Sequence, residues 1–296
     1  MGDNRLELMK KHVSSMLQFE EGVIGLVSVS HPYPFHPQID GLDLLLLVIT
    51  SSACSRPAIE HLRMEGQRVM IRRTTCVGLE QWVSNGSDSK IIEWLLRGDV
   101  VFDKESFLEQ IKARISQFPD ELMKRKLLVE YEAFLKSCLQ AKQNLSDGFQ
   151  FDAHNDIIKT LNHYAHMELI EAGLHPEPSV WRQMRRFHPG IYKLYEELTT
   201  SPETLEQRIQ LVLLACEFSL MSKMRSCSSL IFHILETREE PWSIMELASH
   251  PAMNGLHVDL TLILQKLVQR GYVREVAVMA DPRESDALEL RYKLPR

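Results

Sequence analysis

The chain has 296 residues, 44% of them apolar and 25% charged, enough to bury a sizeable core and to form two or three domains rather than one. A formal net charge of -6 argues against a protein whose main task is to coat nucleic acid. The longest apolar run, Leu44 to Ile49, is far shorter than the roughly 20 residues of a membrane-spanning helix, and the five scattered cysteines (Cys54, Cys76, Cys138, Cys216, Cys227) suit reduced thiols better than disulfides or a zinc site. With no signal-peptide layout at the N-terminus, a cytoplasmic protein without membrane contact is expected.

In chain order, Leu6, Met9, Val13, Met16 and Leu17 recur at helical spacing and predict an opening amphipathic helix. Val23 to Ser30 and Leu42 to Thr50 read as strands on either side of an irregular segment, His31 to Gln38, which carries three prolines and which either covers a nucleotide base or stiffens a connection. A helix from Arg56 to Glu65, a strand from Arg68 to Cys76 and a helix from Ser89 to Arg97 are expected next, closed by Gly98 to Asp103, with Asp103 placed to cap a following helix. From Pro119 the pattern turns to long helices. Leu127, Leu128, Tyr131, Phe134, Leu135, Cys138 and Leu139 form one apolar stripe, and Ile158, Leu161, Ala165 and Leu169 another. Breaks fall at Ser146-Asp147-Gly148, His175 to Pro178 and His188-Pro189-Gly190. From Ser226 the order is helix, a second helix opened by the capping box Ser243 to Glu246, a third from Val258 to Arg270, and a hairpin of Tyr272 to Ala280 with Leu288 to Leu294, which is the order of a winged helix. The domains are thus expected at 1–118, 119–225 and 226–296.

The segment Gly25 to Ser30, the irregular loop, and Ile39 to Val48 together resemble the nucleotide-binding motif of the polymerase-β-type nucleotidyltransferase superfamily in length, order and apolar context. In that superfamily two aspartates stand two apart on a strand, so that they face the same side and share paired metal ions. The resemblance makes Asp43 the second aspartate and a metal ligand, and puts Gly41 in the place of the first. It puts Val29-Ser30 where a Gly-Ser pair cradles the triphosphate, so Ser28 and Ser30 become candidate phosphate contacts. Asp40, three residues before Asp43, compensates for Gly41 only if the strand bulges there. The third carboxylate of the superfamily comes from the next strand, where this chain has Arg72, Arg73, Thr74 and Thr75; Glu80 is the nearest acid and the candidate base. Two arginines beside one aspartate suit a phosphate better than two divalent cations, so Arg72 and Arg73 are candidate nucleotide contacts. Without the resemblance, the same residues read as an ordinary hairpin with a surface aspartate.

The run Trp94 to Asp103 is also similar to the closing helix and strand of small nucleotidyltransferases, which continue into a helical substrate-binding domain. With the winged helix added, the chain resembles a small bacterial three-domain group of nucleotidyltransferase-like proteins. The resemblance implies an α+β fold, with a mixed-sheet nucleotidyltransferase-like domain, an α-helical bundle and a winged helix-turn-helix domain. It further implies a nucleoside triphosphate or other phosphorylated small molecule bound in the cleft between the first two domains, with transfer weakened or lost. Two alternatives stay open: an active, Mg2+-dependent nucleotidyltransferase acting on a small molecule or a protein, and a ligand-sensing regulator whose winged helix binds DNA or a protein partner.

Weaker signals have plainer readings. His163 and His166 stand at i, i+3 near His154, Asp156 and Glu168, and read as solvated or packed histidines, because zinc helices use i, i+4 pairs with a third ligand elsewhere. Arg182 to His188 resembles a ribonuclease motif only at the level of a chance match, and Arg182, Arg185 and Arg186 read as a solvated face or a phosphate contact. From Ser226 onward eight Lys and Arg face ten Asp and Glu, so DNA binding through the winged helix is expected to be weak unless Lys266, Gln269 and Arg270 align with another basic patch.

Overall fold

A computed structural model describes residues 2–30, 41–52, 56–64, 66–85, 91, 94–96, 98–117, 120–177, 179–279 and 288–295 of the chain. The prolyl loop from His31, Asp40, Cys54 and the wing tip from Asp281 to Ala287 lie outside the described residues. The chain divides into two compact units, Met1–Pro119 and Asp120–Arg296.

In the first unit, helix α1 (Gly2–Leu17) buries Met9, Val13 and Leu17, the three positions one helical face dictates. Met16, expected on that face, is turned out to solvent. Strands β1 (Val23–Ser30) and β2 (Leu44–Thr50) pair antiparallel, and every residue of β2 is buried, as an unbroken apolar run predicts for a central strand. The described residues 56–64, where a helix was expected to Glu65, do not form one. They supply β3 (Ile59–Met64), which turns at Gly66 into β4 (Gln67–Thr75) with pairs running from Ile59 opposite Arg72 to Met64 opposite Gln67. Good helix formers such as Glu60, Leu62 and Met64 are overridden by the antiparallel pairing with β4 and by an ion pair between Glu60 and Arg73. β4 lies parallel to β2, and β5 (Asp99–Asp103) pairs with β1, giving the mixed order β3-β4-β2-β1-β5.

One face of this sheet carries α1, packed on Leu26, Leu44, Leu46, Val48, Val69 and Ile71. The other carries α2 (Cys76–Asn85), the helical residues 91 and 94–96, and α3 (Phe107–Gln117), packed on Val27, Leu45, Leu47 and Ile49. The start of α2 has a local cause: the Thr75 hydroxyl accepts from the Gly78 N–H at 3.0 Å. Gly98 is dictated by close approach, since a Cβ there would lie 2.5 Å from both the Trp94 carbonyl oxygen and Val27 Cγ1. Asp103 caps α3 as expected, its carboxylate accepting from Leu108 N at 2.9 Å and Glu109 N at 3.0 Å across a short 3-10 turn.

In the second unit, α4 (Asp120–Ser146) and α5 (Gln150–Glu171) form a helical hairpin broken at Gly148, joined by α6 (Val180–Phe187), α7 (Pro189–Thr200) and α8 (Leu205–Cys227). The α4 stripe is buried from Leu127 to Cys138, while Leu139 drifts out to the surface; on α5, Ile157 is buried in the place expected of Ile158. The Tyr131 hydroxyl donates to the Leu220 carbonyl at 3.2 Å and ties α4 to α8. Helices α9 (Ser229–Glu236), α10 (Ile244–Ala248) and α11 (Leu260–Gln269), with the antiparallel hairpin β6 (Arg274–Met279) and β7 (Leu288–Lys293), complete the winged order. Ser243 and Glu246 form the predicted capping box, and Gly271, at φ +73, ends α11. The architecture is the α+β class predicted, and among the described residues no helix is long and apolar enough to cross a membrane.

Candidate functional site

The end of β1 and the start of β2 adjoin, Ser30 opposite Leu44, with Asp43 immediately before the strand. Asp43 is engaged by β4. Its N–H donates to the Arg68 carbonyl at 2.8 Å, its Oδ2 accepts from the Arg68 N–H at 2.7 Å, and the Gln67 amide, oriented to satisfy both partners, donates to its two carboxylate oxygens at 2.9 and 2.8 Å. The Arg68 guanidinium reaches across to the Gly41 carbonyl at 3.3 Å. Gly41 itself has φ +77, a left-handed conformation that an aspartate in the first-carboxylate position would adopt only under strain. Arg68 is therefore the residue that meets Asp43, and sequence reasoning missed it because the parallel register of β2 with β4 has no local signature.

The other predicted residues are not gathered there. Arg72 and Arg73 sit opposite Leu47 and Val48, four and five positions along the ladder from Arg68, which is roughly 13–17 Å at strand rise. They also point to opposite faces. The Arg72 guanidinium lies 5.1 Å from the Trp82 ring centre and 5.4 Å from that of Trp94, two cation–π contacts on the α2 side. Arg73, 6% exposed, faces the α1 side, paired with Glu60 and 3.6 Å from Glu20. Ser28 alternates with Leu26, so it too faces α1; it is buried, and its hydroxyl has no partner among the described residues. Glu80, on α2 beyond the far end of β4, stands 3.6 Å from Arg114. Ser30 is located here by its backbone pairing alone, and Asp40 lies outside the described residues.

Paired Mg2+ ions do not fit the part of this site that is described. Asp43 spends both carboxylate oxygens on donors of its own sheet, and Gly41 offers no oxygen beyond a carbonyl bonded to the Arg68 guanidinium. Among the described residues, no three-member group of potential metal ligands includes Asp43.

Such a group does occur in the helical bundle. His163 and His166, one turn apart on α5, direct their Nδ1 atoms at Glu130 of α4, at 2.7 Å to Oε2 and 3.1 Å to Oε1. Burial works to raise the Glu130 carboxyl, but the bonds from His163 and then His166 prevail and hold it down at about 2. The acids expected near this pair are used elsewhere: Asp156 accepts from Asn144 and Lys159, and Glu168 pairs with Lys223. Helical spacing brings the two histidines together, but only the packing of α4 on α5 supplies Glu130. In the Arg182 to His188 segment, His188 Nδ1 accepts from the Ile191 N–H at 3.2 Å and caps α7, a structural task.

On the winged helix, Thr261, Gln265 and Gln269 are the exposed residues of α11. Lys266 bonds Gln269 at 3.4 Å and Arg270 contacts the Met221 sulfur of α8.

Comparison with known proteins agrees with this arrangement. Residues 6–123 match the family described as nucleotidyltransferase-like, residues 124–223 the YgxA-like substrate binding domain, and residues 229–282 a helix-turn-helix domain. A curated relative, the uncharacterized protein YgxA of Bacillus subtilis (strain 168), is 31% identical over 234 residues, 79% of each chain. The crystal structure of a nucleotidyltransferase-like protein from Exiguobacterium sibiricum 255-15 superposes with a TM-score of 0.81 at 26% identity, covering 98% of this chain and 99% of that one. The chain belongs to the family of YgxA, nucleotidyltransferase-like proteins with a substrate-binding domain and a helix-turn-helix domain.

Proposed function

We propose that this protein binds a nucleotide or other phosphorylated small molecule at its nucleotidyltransferase-like domain and does not perform efficient metal-dependent transfer. The observation that carries the reading is the Asp43–Arg68 arrangement: the carboxylate that would hold a metal instead accepts two backbone and amide donors of β4, and the Arg68 side chain lies over Gly41. A guanidinium at the loop that would receive a triphosphate favours an anion and opposes a cation. The substrate-binding domain matched over residues 124–223 supports a small-molecule ligand.

Isothermal titration of the full chain with ATP and GTP, with and without Mg2+, tests this. Binding at micromolar to millimolar concentration with little dependence on Mg2+, weakened by Arg68→Ala, is the expected result. No heat with any nucleoside triphosphate at millimolar concentration overturns the proposal, and so does pyrophosphate release abolished by Asp43→Asn in a chain that stays folded.

A further inference from the structure

We propose that Glu130, His163 and His166 form a binding site for a divalent transition-metal ion of the Zn2+ class, with two imidazole Nδ1 atoms and one carboxylate oxygen as ligands. The three ligand atoms lie within 4.8 Å of one another, compared with about 3.3 Å between neighbours around a tetrahedral Zn2+ with bonds near 2 Å. Small rotations of these partly exposed side chains, 31%, 30% and 21% accessible, close that difference. The backbone does not have to move. α4 and α5 are locked around the site by Leu127, Tyr131, Phe134, Leu161 and Ala165, all buried, so the three ligands project from a rigid frame of the kind metal sites require.

The chemistry of the set selects the ion. Two imidazoles favour Zn2+, Co2+, Ni2+ or Cu2+ over Mg2+ and Ca2+, which prefer an all-oxygen shell. Lys126, one turn before Glu130 on α4, adds a positive charge to the same field. That charge penalises a cation held by electrostatics alone, and a metal gaining two nitrogen bonds overcomes it. Both Nδ1 atoms already lie within hydrogen-bond reach of the one carboxylate, so the three ligand groups converge on a single position. Three protein ligands leave a fourth position for water or for an oxygen of a bound ligand, the pattern of an open rather than a structural site. This site lies in the part matched as a substrate-binding domain and is independent of the nucleotide proposal, which concerns the other unit.

The test is Co2+ and Zn2+ titration of the full chain, followed by visible absorption for Co2+ and by competition with a chromophoric chelator for Zn2+. One ion per chain is expected. Loss of a direct ligand in Glu130→Gln, His163→Ala or His166→Ala should weaken binding by roughly 100-fold or more, since even outer-shell partners are worth 10- to 100-fold. Unaltered affinity in all three variants overturns the proposal, as does the absence of any stoichiometric ion in the parent chain. Pulsed electron paramagnetic resonance of the Cu2+-loaded parent chain does not depend on whether a variant folds: coupling to two imidazoles supports the site, and coupling to one or none overturns it.

Discussion

At the scale of single residues, the position that the resemblance assigns to a first carboxylate, Gly41, is constrained by backbone conformation as well as by composition. Gly41 has φ +77, and Arg68 bonds its carbonyl, so placing a carboxylate there meets resistance from the fold. Gly41→Asp is expected to lower stability by about 1 kcal/mol and to confer no Mg2+ binding, checked by chemical denaturation and by titration with Mg2+. Arg73 makes the opposite case. As a nucleotide contact it would be dispensable for folding, but it is buried between Glu60 and Glu20. Arg73→Ala strands both acids and should cost about 3–5 kcal/mol while leaving nucleotide affinity in the folded fraction unchanged. Denaturant midpoints measured beside binding isotherms separate the two effects. These residues also show where the sequence is legible. Asp103 capping α3, Ser243 with Glu246 and the Met9, Val13, Leu17 face follow from neighbours in the chain and could be read directly. Arg68 against Asp43 and Glu130 against the histidines join distant segments, and no local pattern encodes a parallel register or the rotation of one helix against another.

At the scale of elements, the most informative miss is β3. Its residues favour a helix taken alone, but the Gly66 hairpin and the pairing with β4 leave it no helical partner, and its outward Ile59 and Leu62 show how little of it is core. A strand whose side chains are mostly exposed carries no alternation to detect. The capping box of α10 is a case where element and charge can be tested together. Glu246 is held down at about 2, chiefly by the bond from Arg238 and then by the Ser243 N–H. Arg238 in turn lies 3.7 Å from the centre of the Trp242 ring. A depressed carboxylate contributes stability that is present above its ordinary range and is lost as pH falls through about 2. The winged helix is thus expected to loosen in acid between the ordinary carboxylate range and that value, weakly because Glu246 is solvent-facing and screened by salt. Trp242 fluorescence reports the change, and Glu246→Gln should flatten it.

At the scale of the molecule, the winged segment belongs to the same compact unit as the bundle. Arg125 of α4 helps to hold it there, donating to the Ala252 carbonyl and, at 2.6 Å, to that of Asn254. Arg125→Ala should cost about 1–3 kcal/mol and speed amide exchange across 251–254 and α11, with unit 1–119 unaffected; uniform exchange across the chain would show that the contact carries no such role. The exposed residues of α11 are Thr261, Gln265 and Gln269, a polar face of modest charge. Retention of the full chain on random duplex DNA is expected to be negligible at moderate salt; firm retention there would revive the regulator reading.

Asp43 has a further consequence. Its carboxylate clasps the first residues of β4 and so sets how the two parallel strands of the sheet slide against each other. Replacing Asp43 is therefore expected to disturb the register of β2 against β4. Loss of function on replacing Asp43 would then be a folding phenotype, and only a measurement on the soluble, folded fraction would distinguish a broken hinge pin from a broken catalyst.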